Sequence, residues 1–276
     1  MPLVNTVNIL NRAKLNKICI GAFNIENIDM AKAIIESAEI MKTPVIIQTT
    51  FTTVNFLGAK VLSAMVSALA KESKAEIALH LDHGNSFEIC KRCIDTKYSS
   101  VMIDGSHGDL LQNIEITKMV TDYAKSKGVS VEGEIGRVGG QEDELVSSIS
   151  YTNVLECEEF VSKTLIDFVA IGVGTAHGLY EGEPKINIQK IKEIAKVVSI
   201  PLVLHGASGL SERVIKDCIA AGISKINFAT ELRQAYTMGI RSVLVDKSIY
   251  DPKAYQKEGR EFVKKVVLNK MALLMS

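Results

Sequence analysis

Residues 201–228 read PLVLHGASGLSERVIKDCIAAGISKINF, and the stretch changes pattern twice. Residues 202–205 are a short apolar run opened by Pro201, whose missing N–H is tolerated where a strand begins. The following SERVIKDCIAAG sets its apolar residues mostly at i, i+3 and i+4, as an amphipathic helix does, and Gly222 stands where a C′ glycine would end it. Residues 225–228 are the next strand. The unit is strand, helix, strand, the crossover that joins parallel strands.

The same alternation runs back through the chain. Val- and Ile-rich runs at residues 18–23, 45–49, 77–81, 101–103, 129–134 and 168–173 precede the two above. Helical patterns such as IDMAKAIIESAEIMK, LGAKVLSAMVSALAKES and LLQNIEITKMVTDYAKSKG lie between them. Eight strands alternating with helices in 276 residues predict an α/β fold, a closed (β/α)8 TIM barrel of the roughly 250-residue size, with residues 250–276 as an added C-terminal helix. No Pro/Ser/Gly-rich linker divides the chain, so residues 1–276 are read as one domain; an open doubly wound sheet is the alternative.

With 32 basic and 32 acidic residues the formal net charge is zero, which removes any bulk attraction to nucleic acid or anionic membrane, and neither is expected as a partner. Five scattered cysteines are too few for a disulfide framework and fit a reducing cytoplasm. Cys90 and Cys93 have a C-x-x-C spacing without a second pair and sit in a helical pattern, so both are read as plain thiols. The opening MPLVNTVNILNRAKLNK is too interrupted for a signal peptide, and no uncharged apolar run approaches the ~18 residues of a membrane span. A soluble, cytoplasmic protein is expected.

In a barrel of this kind the active site gathers at the C-terminal strand ends. Just past the apolar runs stand Asn24, Gln48 with Thr50, Asp82 with His83, Asp104, Glu132 with Glu134, His177, His205 and Asn227. His83, His177 and His205 could together hold Zn2+ and leave a position open, as catalytic zinc requires. His80, inside its strand, and His107, in a Gly-flanked loop, are weaker candidates. Successive strand residues face opposite ways, so Asp82 and His83 serve one site only if the strand ends or bulges there, which Gly84 would permit. Asp82 is then an acid–base group beside the metal or, alternatively, a partner that orients a ligand histidine. Glu132 and Glu134 share a strand face, and Gly136, Gly139 and Gly140 predict a mobile loop that carries a carboxylate toward the site, with Asp143 and Glu144 as solvated turn residues.

Residues 205–208 and 227–230 follow the seventh and eighth strands, where barrels cradle phosphate on backbone N–H groups, so a phosphorylated substrate is expected. The IGVG at 171–174 lacks the rest of a dinucleotide fingerprint, and no NAD is expected. An open zinc would equally suit hydrolysis of a phosphorylated compound, and the residue types alone do not choose between that and carbon–carbon cleavage.

HLDHG (80–84), IDGSHG (103–108), VEGEIGRVGGQED (131–143), GVGTAHGLYEGEPKI (172–186), PLVLHGASGL (201–210) and KINFATELR (225–233), in this order, resemble the class II, metal-dependent ketose-bisphosphate aldolases, the fructose- and tagatose-bisphosphate aldolase family. The resemblance runs from AFN at 22–24 to DPKAYQKEGRE near the end. It implies reversible cleavage of a ketose 1,6-bisphosphate, tagatose or fructose, to dihydroxyacetone phosphate and glyceraldehyde 3-phosphate. Zn2+ on His83, His177 and His205 would be the Lewis acid, with a second divalent position at Asp104 and Glu134 and room for a monovalent cation. Asp82 would exchange the C4 hydroxyl proton and Glu142 the C3 proton. Gly178, Gly206, Ala207, Ser208, Asn227, Phe228, Ala229 and Thr230 match the dihydroxyacetone-phosphate site, which Asn24 joins from the first strand end. Lys253 matches a position that reaches the far phosphate from a neighbouring subunit, in keeping with a homodimer or homotetramer. The GTAHGLY and NFATELR forms are similar to the tagatose-type branch, which implies cleavage of both sugars with a modest preference for tagatose 1,6-bisphosphate. Gly84 and Gln141 depart from common family residues and bear on that preference. A non-catalytic companion subunit would keep the fold while losing these ligands.

Overall fold

The computed structural model describes residues 2–142, 145–178, 180, 182 and 184–276, and of residues 141, 142 and 145–147 the backbone alone. In chain order the strands are β1 (Ile20–Asn24), β2 (Val45–Thr50), β3 (Ile77–Gly84), β4 (Ser100–Ile103), β5 (Ser130–Ile135), β6 (Gly139–Glu142), β7 (Leu145–Ser147), β8 (Phe168–Ile171), β9 (Ala176–His177), β10 (Leu202–Leu204) and β11 (Ile223–Phe228). Eight of them, β1-β2-β3-β4-β5-β8-β10-β11, form a closed parallel barrel, the last pairing back on the first from Ile20↔Lys225 to Phe23↔Phe228. These are the eight apolar runs of the sequence, so the TIM barrel expected from their alternation is the fold. Strands buried on both faces, between barrel interior and helix layer, must read as near-continuous hydrophobic runs, which is why they were visible.

Helix starts are fixed by short polar side chains. Asn27, Ser86, Asn153, Asn187 and Ser211 each accept a first-turn backbone N–H, and Asp109 forms a capping box with Gln112. Gly222, at φ 126, ends the helix Glu212–Ala221 as expected. The helical stretch expected at 57–73 is the helix Ala59–Glu72, and a short helix that was not expected, Phe51–Leu57, precedes it at a bend of 94° about Gly58, whose φ of 88 a side-chain-bearing residue would resist. Among the described residues no single helix is long and apolar enough to cross a membrane. The C-terminal helix Pro252–Leu274 packs against Ile28–Met41 and Thr230–Leu244 and so closes the helical ring.

Two elements were not anticipated. The helix Thr6–Asn16 lies across the strand beginnings, where the Val4 N–H donates to the Ile77 carbonyl (2.9 Å) and Thr6 Oγ1 to Ser100 Oγ (2.8 Å). Its Ile9, Leu10 and Ala13 form a separate apolar cluster with Ile20, Ala22, Ile46, Ala78, Phe168, Ala170 and Val203, which closes the barrel floor. At the other end, the glycine-rich stretch expected as a loop is sheet: β6 pairs antiparallel with β7 and parallel with β9, through Gly139↔Ala176 and Gly140↔His177. Asp143 and Glu144, expected as solvated turn residues, lie outside the described residues. Cys90 and Cys93 are buried in the core between strands and helices, where burial pushes the Cys93 thiol up to about 12, so neither is a reactive thiolate.

Candidate active site

The end of β3 sets the site. Its register against β4 shifts between Leu81 and Gly84, and His83 adopts a left-handed φ of 46. That bulge is the one the sequence required: it turns two consecutive residues, Asp82 and His83, into the same mouth. A non-glycine residue held there stores roughly 1–3 kcal/mol of backbone strain, which the surrounding contacts must offset. Gly84 itself faces the helix layer, where an added Cβ would stand 2.5 Å from the Met102 carbonyl and 2.8 Å from Cys90 Sγ.

Three imidazoles meet at the mouth. His83 Nε2 lies 2.7 Å from His205 Nδ1, and the His177 ring stands edge-on to His83 with centroids 5.0 Å apart. One ligand nitrogen from each of His83, His177 and His205 lies within 4.8 Å of the others. The outer nitrogens are tied to carboxylates: His83 Nδ1 to Asp104 Oδ2 at 3.0 Å and His205 Nε2 to Glu132 Oε1 at 2.8 Å. Burial would raise both carboxyls, yet the His83 hydrogen bond holds Asp104 below its ordinary value and the Lys225 charge holds Glu132 well below. As ionised acceptors they place protons on the outer nitrogens, so the two nitrogens that face each other present lone pairs. Two lone pairs turned to one point are the donor arrangement that a metal ion takes. Glu134 adds a second observation. Its Oε2 is buried without a hydrogen-bond partner, and it groups with His83 and Asp104 within 4.8 Å. Burial and the nearby Asp104 charge push the Glu134 carboxyl well above its usual range, a strain that a cation at this spot would relieve. The donor set of imidazoles with outer carboxylate partners fits a divalent metal.

Asp82 stands beside the imidazoles as the centre of an amide cradle. Its Oδ2 accepts from Asn24 Nδ2 (2.9 Å) and Gln48 Nε2 (3.0 Å), and its Oδ1 from Asn227 Nδ2 (3.0 Å). The carboxylates that hold ring nitrogens are Asp104 and Glu132, whereas Asp82 takes its hydrogen bonds from side-chain amides. Below it, Glu132 Oε2 pairs with Lys225 Nζ at 2.8 Å, with both side chains fully buried, and His80 Nε2 approaches the same oxygen at 3.3 Å. His80 is a member of this interior network, and His107 is exposed.

Next to the imidazoles, a small pocket is lined by Asn24, His177, Gly178, Gly206, Ala207, Ser208, Asn227, Ala229, Thr230 and Arg233. Gly206, at φ 65, lets the chain pass so close to β9 that an added Cβ would meet the Ala176 carbonyl at 2.6 Å. Tyr180 clamps this approach: its hydroxyl donates to the Gly206 carbonyl (2.6 Å) and accepts the Ala176 N–H (2.8 Å). The pocket thus gathers nearly all of the substrate residues expected from sequence. Phe228 does not line the pocket, and its ring is wholly buried against Phe23, 5.5 Å between centroids. Lys253 is absent from the lining, and its ammonium pairs with Asp251 at 2.8 Å. The Glu142 side chain lies outside the described residues, though its backbone is in β6, two residues from the pairing with His177.

Sequence reading missed Lys225 and Arg233. Lys225 opens the run at residues 225–228, and its two-residue offset from Asn227 is the signal that both face inward. Arg233, in the first turns of Thr230–Leu244, offered no signal beyond its place after the eighth strand.

The model of the family described as fructose-bisphosphate aldolase class-II matches residues 4–276. The 6-phospho-5-dehydro-2-deoxy-D-gluconate aldolase of Bacillus licheniformis is 44% identical over 98% of this chain and 94% of its own length. The fructose-bisphosphate aldolase of Geobacillus stearothermophilus is 42% identical over 98% and 96%. Among solved structures, the YdjI aldolase from Escherichia coli K12 superposes with a TM-score of 0.86 at 32% identity, over 99% of this chain and 97% of that one. With a family model matched over residues 4–276 and aldolase relatives similar from end to end, the reading is neither a zinc hydrolase nor a non-catalytic companion: the chain belongs to the class II fructose-bisphosphate aldolase family and is a carbon–carbon lyase.

Proposed function

We propose that this aldolase cleaves a ketose 1,6-bisphosphate, fructose or tagatose, reversibly to dihydroxyacetone phosphate and glyceraldehyde 3-phosphate, with Zn2+ held by His83, His177 and His205. The observation that carries the metal is the convergence of His83, His177 and His205, one ring nitrogen of each within 4.8 Å of the others, with a buried Glu134 oxygen that has no hydrogen-bond partner beside them. When bound, the metal supplies Lewis-acid polarisation of the substrate carbonyl and its neighbouring hydroxyl. His83, Asp104 and Glu134 offer a second divalent position.

The chain's own groups do the proton work. Asp82, fixed by three amides, takes the C4 hydroxyl proton as the C3–C4 bond breaks and returns it in the synthetic direction. Glu142 exchanges the proton at C3, a role supported by its place in β6 beside the strand that carries His177. Gly178, Gly206–Ser208 and Ala229–Thr230 seat the phosphate of the dihydroxyacetone end on backbone donors and a helix start. Lys225 is unsuited to Schiff-base chemistry, since its ammonium is sealed against Glu132 beneath the mouth.

A second substrate reading is favoured by the relatives named 6-phospho-5-dehydro-2-deoxy-D-gluconate aldolase, at 43–44% identity. That molecule carries the same phosphorylated ketone end, so its aldol cleavage also releases dihydroxyacetone phosphate; it differs in ending on a carboxylate. The preference for tagatose rests on the GTAHGLY and NFATELR forms and on the shortened acidic loop that Gln141 leaves. The accompanying reading is a cytoplasmic homodimer or homotetramer of one-domain chains, supported by five buried, unpaired thiols for the compartment and by the family resemblance for the assembly.

Incubation with each of the three substrates, with triose phosphate measured by a coupled assay, tests the reaction. Dihydroxyacetone phosphate release that survives borohydride and stops with a chelator is expected. The reverse pattern, or release of inorganic phosphate instead, would contradict the proposal, and the ratio of kcat/KM values ranks the substrates. An inverted C4 hydroxyl that loses one hydrogen bond to Asp82 should lower kcat/KM about ten- to a hundredfold.

A further inference from the structure

Two of the three imidazoles are carried by the barrel itself, since His83 lies in β3 and His205 directly follows β10. His177 is carried by β9, which belongs to the small sheet with β6 and β7 and, among the described residues, pairs with no barrel strand. A metal centre tolerates only about 0.2 Å in its ligand distances. The spacing of β9 from the end of β10 must therefore be fixed by something other than barrel pairing.

Glycines make the close approach possible without holding it. Gly140 and Gly206 flank β9 so tightly that a Cβ would stand 2.2 Å from the His177 carbonyl oxygen at the first and 2.6 Å from the Ala176 carbonyl oxygen at the second. The hold is supplied by Tyr180, three residues beyond His177 in the chain. Its hydroxyl accepts the Ala176 N–H at 2.8 Å and donates to the Gly206 carbonyl at 2.6 Å, so one group ties the residue before His177 to the residue after His205. A hydroxyl does both at once, which no apolar ring can. The Tyr180 ring packs on the apolar core and against Gly209, whose added Cβ would touch its Cδ2 at 3.4 Å. Burial raises the phenol above its ordinary value, so near neutral pH it keeps the proton it donates.

We propose that Tyr180 is a positioning residue of the metal centre: by bridging Ala176 and Gly206, its hydroxyl sets His177 at the distance from His205 that a divalent ion requires. This rests on the three-histidine reading given above. Without the hydroxyl, the Ala176 N–H and the Gly206 carbonyl lose their common partner and β9 is free to shift against the end of β10, carrying one ligand of three out of register. Groups that orient metal ligands without touching the metal act on affinity, and their removal weakens binding about ten- to a hundredfold.

The test is competition for zinc between the protein and a chromophoric chelator, for wild type and Tyr180→Phe, with the visible absorption of the cobalt-loaded proteins as a report of ligand geometry and melting curves of the metal-free ones. Tyr180→Phe keeps the ring, so its metal-free form should melt close to wild type, yet it should bind zinc about ten- to a hundredfold more weakly and show altered cobalt bands. In metal-free wild type the Ala176 amide should be protected from hydrogen exchange. A Tyr180→Phe protein with wild-type zinc affinity and unchanged cobalt bands would reduce the hydroxyl to a contact of the fold, whatever the melting point, and overturn this inference alone. An Ala176 amide that exchanges as fast as in an open chain would overturn it without recourse to a variant. A wild type that binds no zinc would overturn the metal reading, and this inference with it.

Discussion

The floor and the mouth of the barrel draw on shared strands and hold opposite chemistry. At the floor Ile20, Ala22, Ile46, Ala78, Phe168, Ala170 and Val203 pack on Ile9, Leu10 and Ala13 of the N-terminal helix, all but sealed from solvent. Two residues further along those strands, the inward positions become Asn24, Gln48, His80 with Asp82, and His205. Because strand side chains alternate with period two, a single step of that period converts packing into chemistry. The floor stabilises the barrel by removing apolar surface from water, and the mouth holds polar groups that desolvation makes expensive unless each is partnered. Between them Lys225 and Glu132 form a fully buried ion pair that touches both regions.

If this division holds, substitutions at the three levels should separate activity from stability. At the mouth, Asp82→Ala should lower the cleavage rate about 100- to 10,000-fold while leaving the fold intact, measured as kcat beside circular dichroism. A loss below tenfold would take Asp82 out of the proton transfer. In the middle layer, Lys225→Met leaves the Glu132 carboxylate buried without its cation, and should destabilise by roughly 3–5 kcal/mol in denaturant melts near neutral pH.

The pH dependence of that variant carries a sign. In the wild type Glu132 is held well below its ordinary value, so its contribution is present above the usual carboxylate range and is lost as pH falls through the depressed value. Without Lys225, burial raises the carboxyl against only the His205 and His80 contacts, so the deficit of the variant relative to wild type should shrink as pH falls toward the usual carboxylate range. A deficit that widens on acidification would show that the pair is not what stabilises this layer. At the floor, Leu10→Ala should cost about 2–5 kcal/mol of stability with kcat unchanged at temperatures where the variant stays folded.

The same contrast explains what the sequence disclosed. Barrel strands were legible because both of their faces are buried, and the three histidines because the fold demands function at strand ends. Even the bulge at Asp82 and His83 was legible, since two adjacent ligand-type residues cannot otherwise share one mouth. The floor helix was hidden by Asn8, Asn11 and Arg12, whose polarity masked the short apolar set Ile9, Leu10 and Ala13. Sheet formation by Gly139–Glu142 depends on pairing with the distant His177 strand, and Gly140, at φ 83, would have its Cβ 2.2 Å from the His177 carbonyl, so what looks locally like a loop signal is a close approach of two strands. Arg233 was unreadable because its partner, Glu26, lies at the opposite end of the chain.

Metal content and aldol cleavage, followed together in the wild type and in His205→Ala, test the central claim most directly. The wild type should carry zinc in stoichiometric amount, lose cleavage when a chelator strips it, and recover when zinc is returned, whereas His205→Ala should neither retain the metal nor recover. Full cleavage by metal-free wild type, or full zinc content and activity in His205→Ala, would contradict the three-histidine centre.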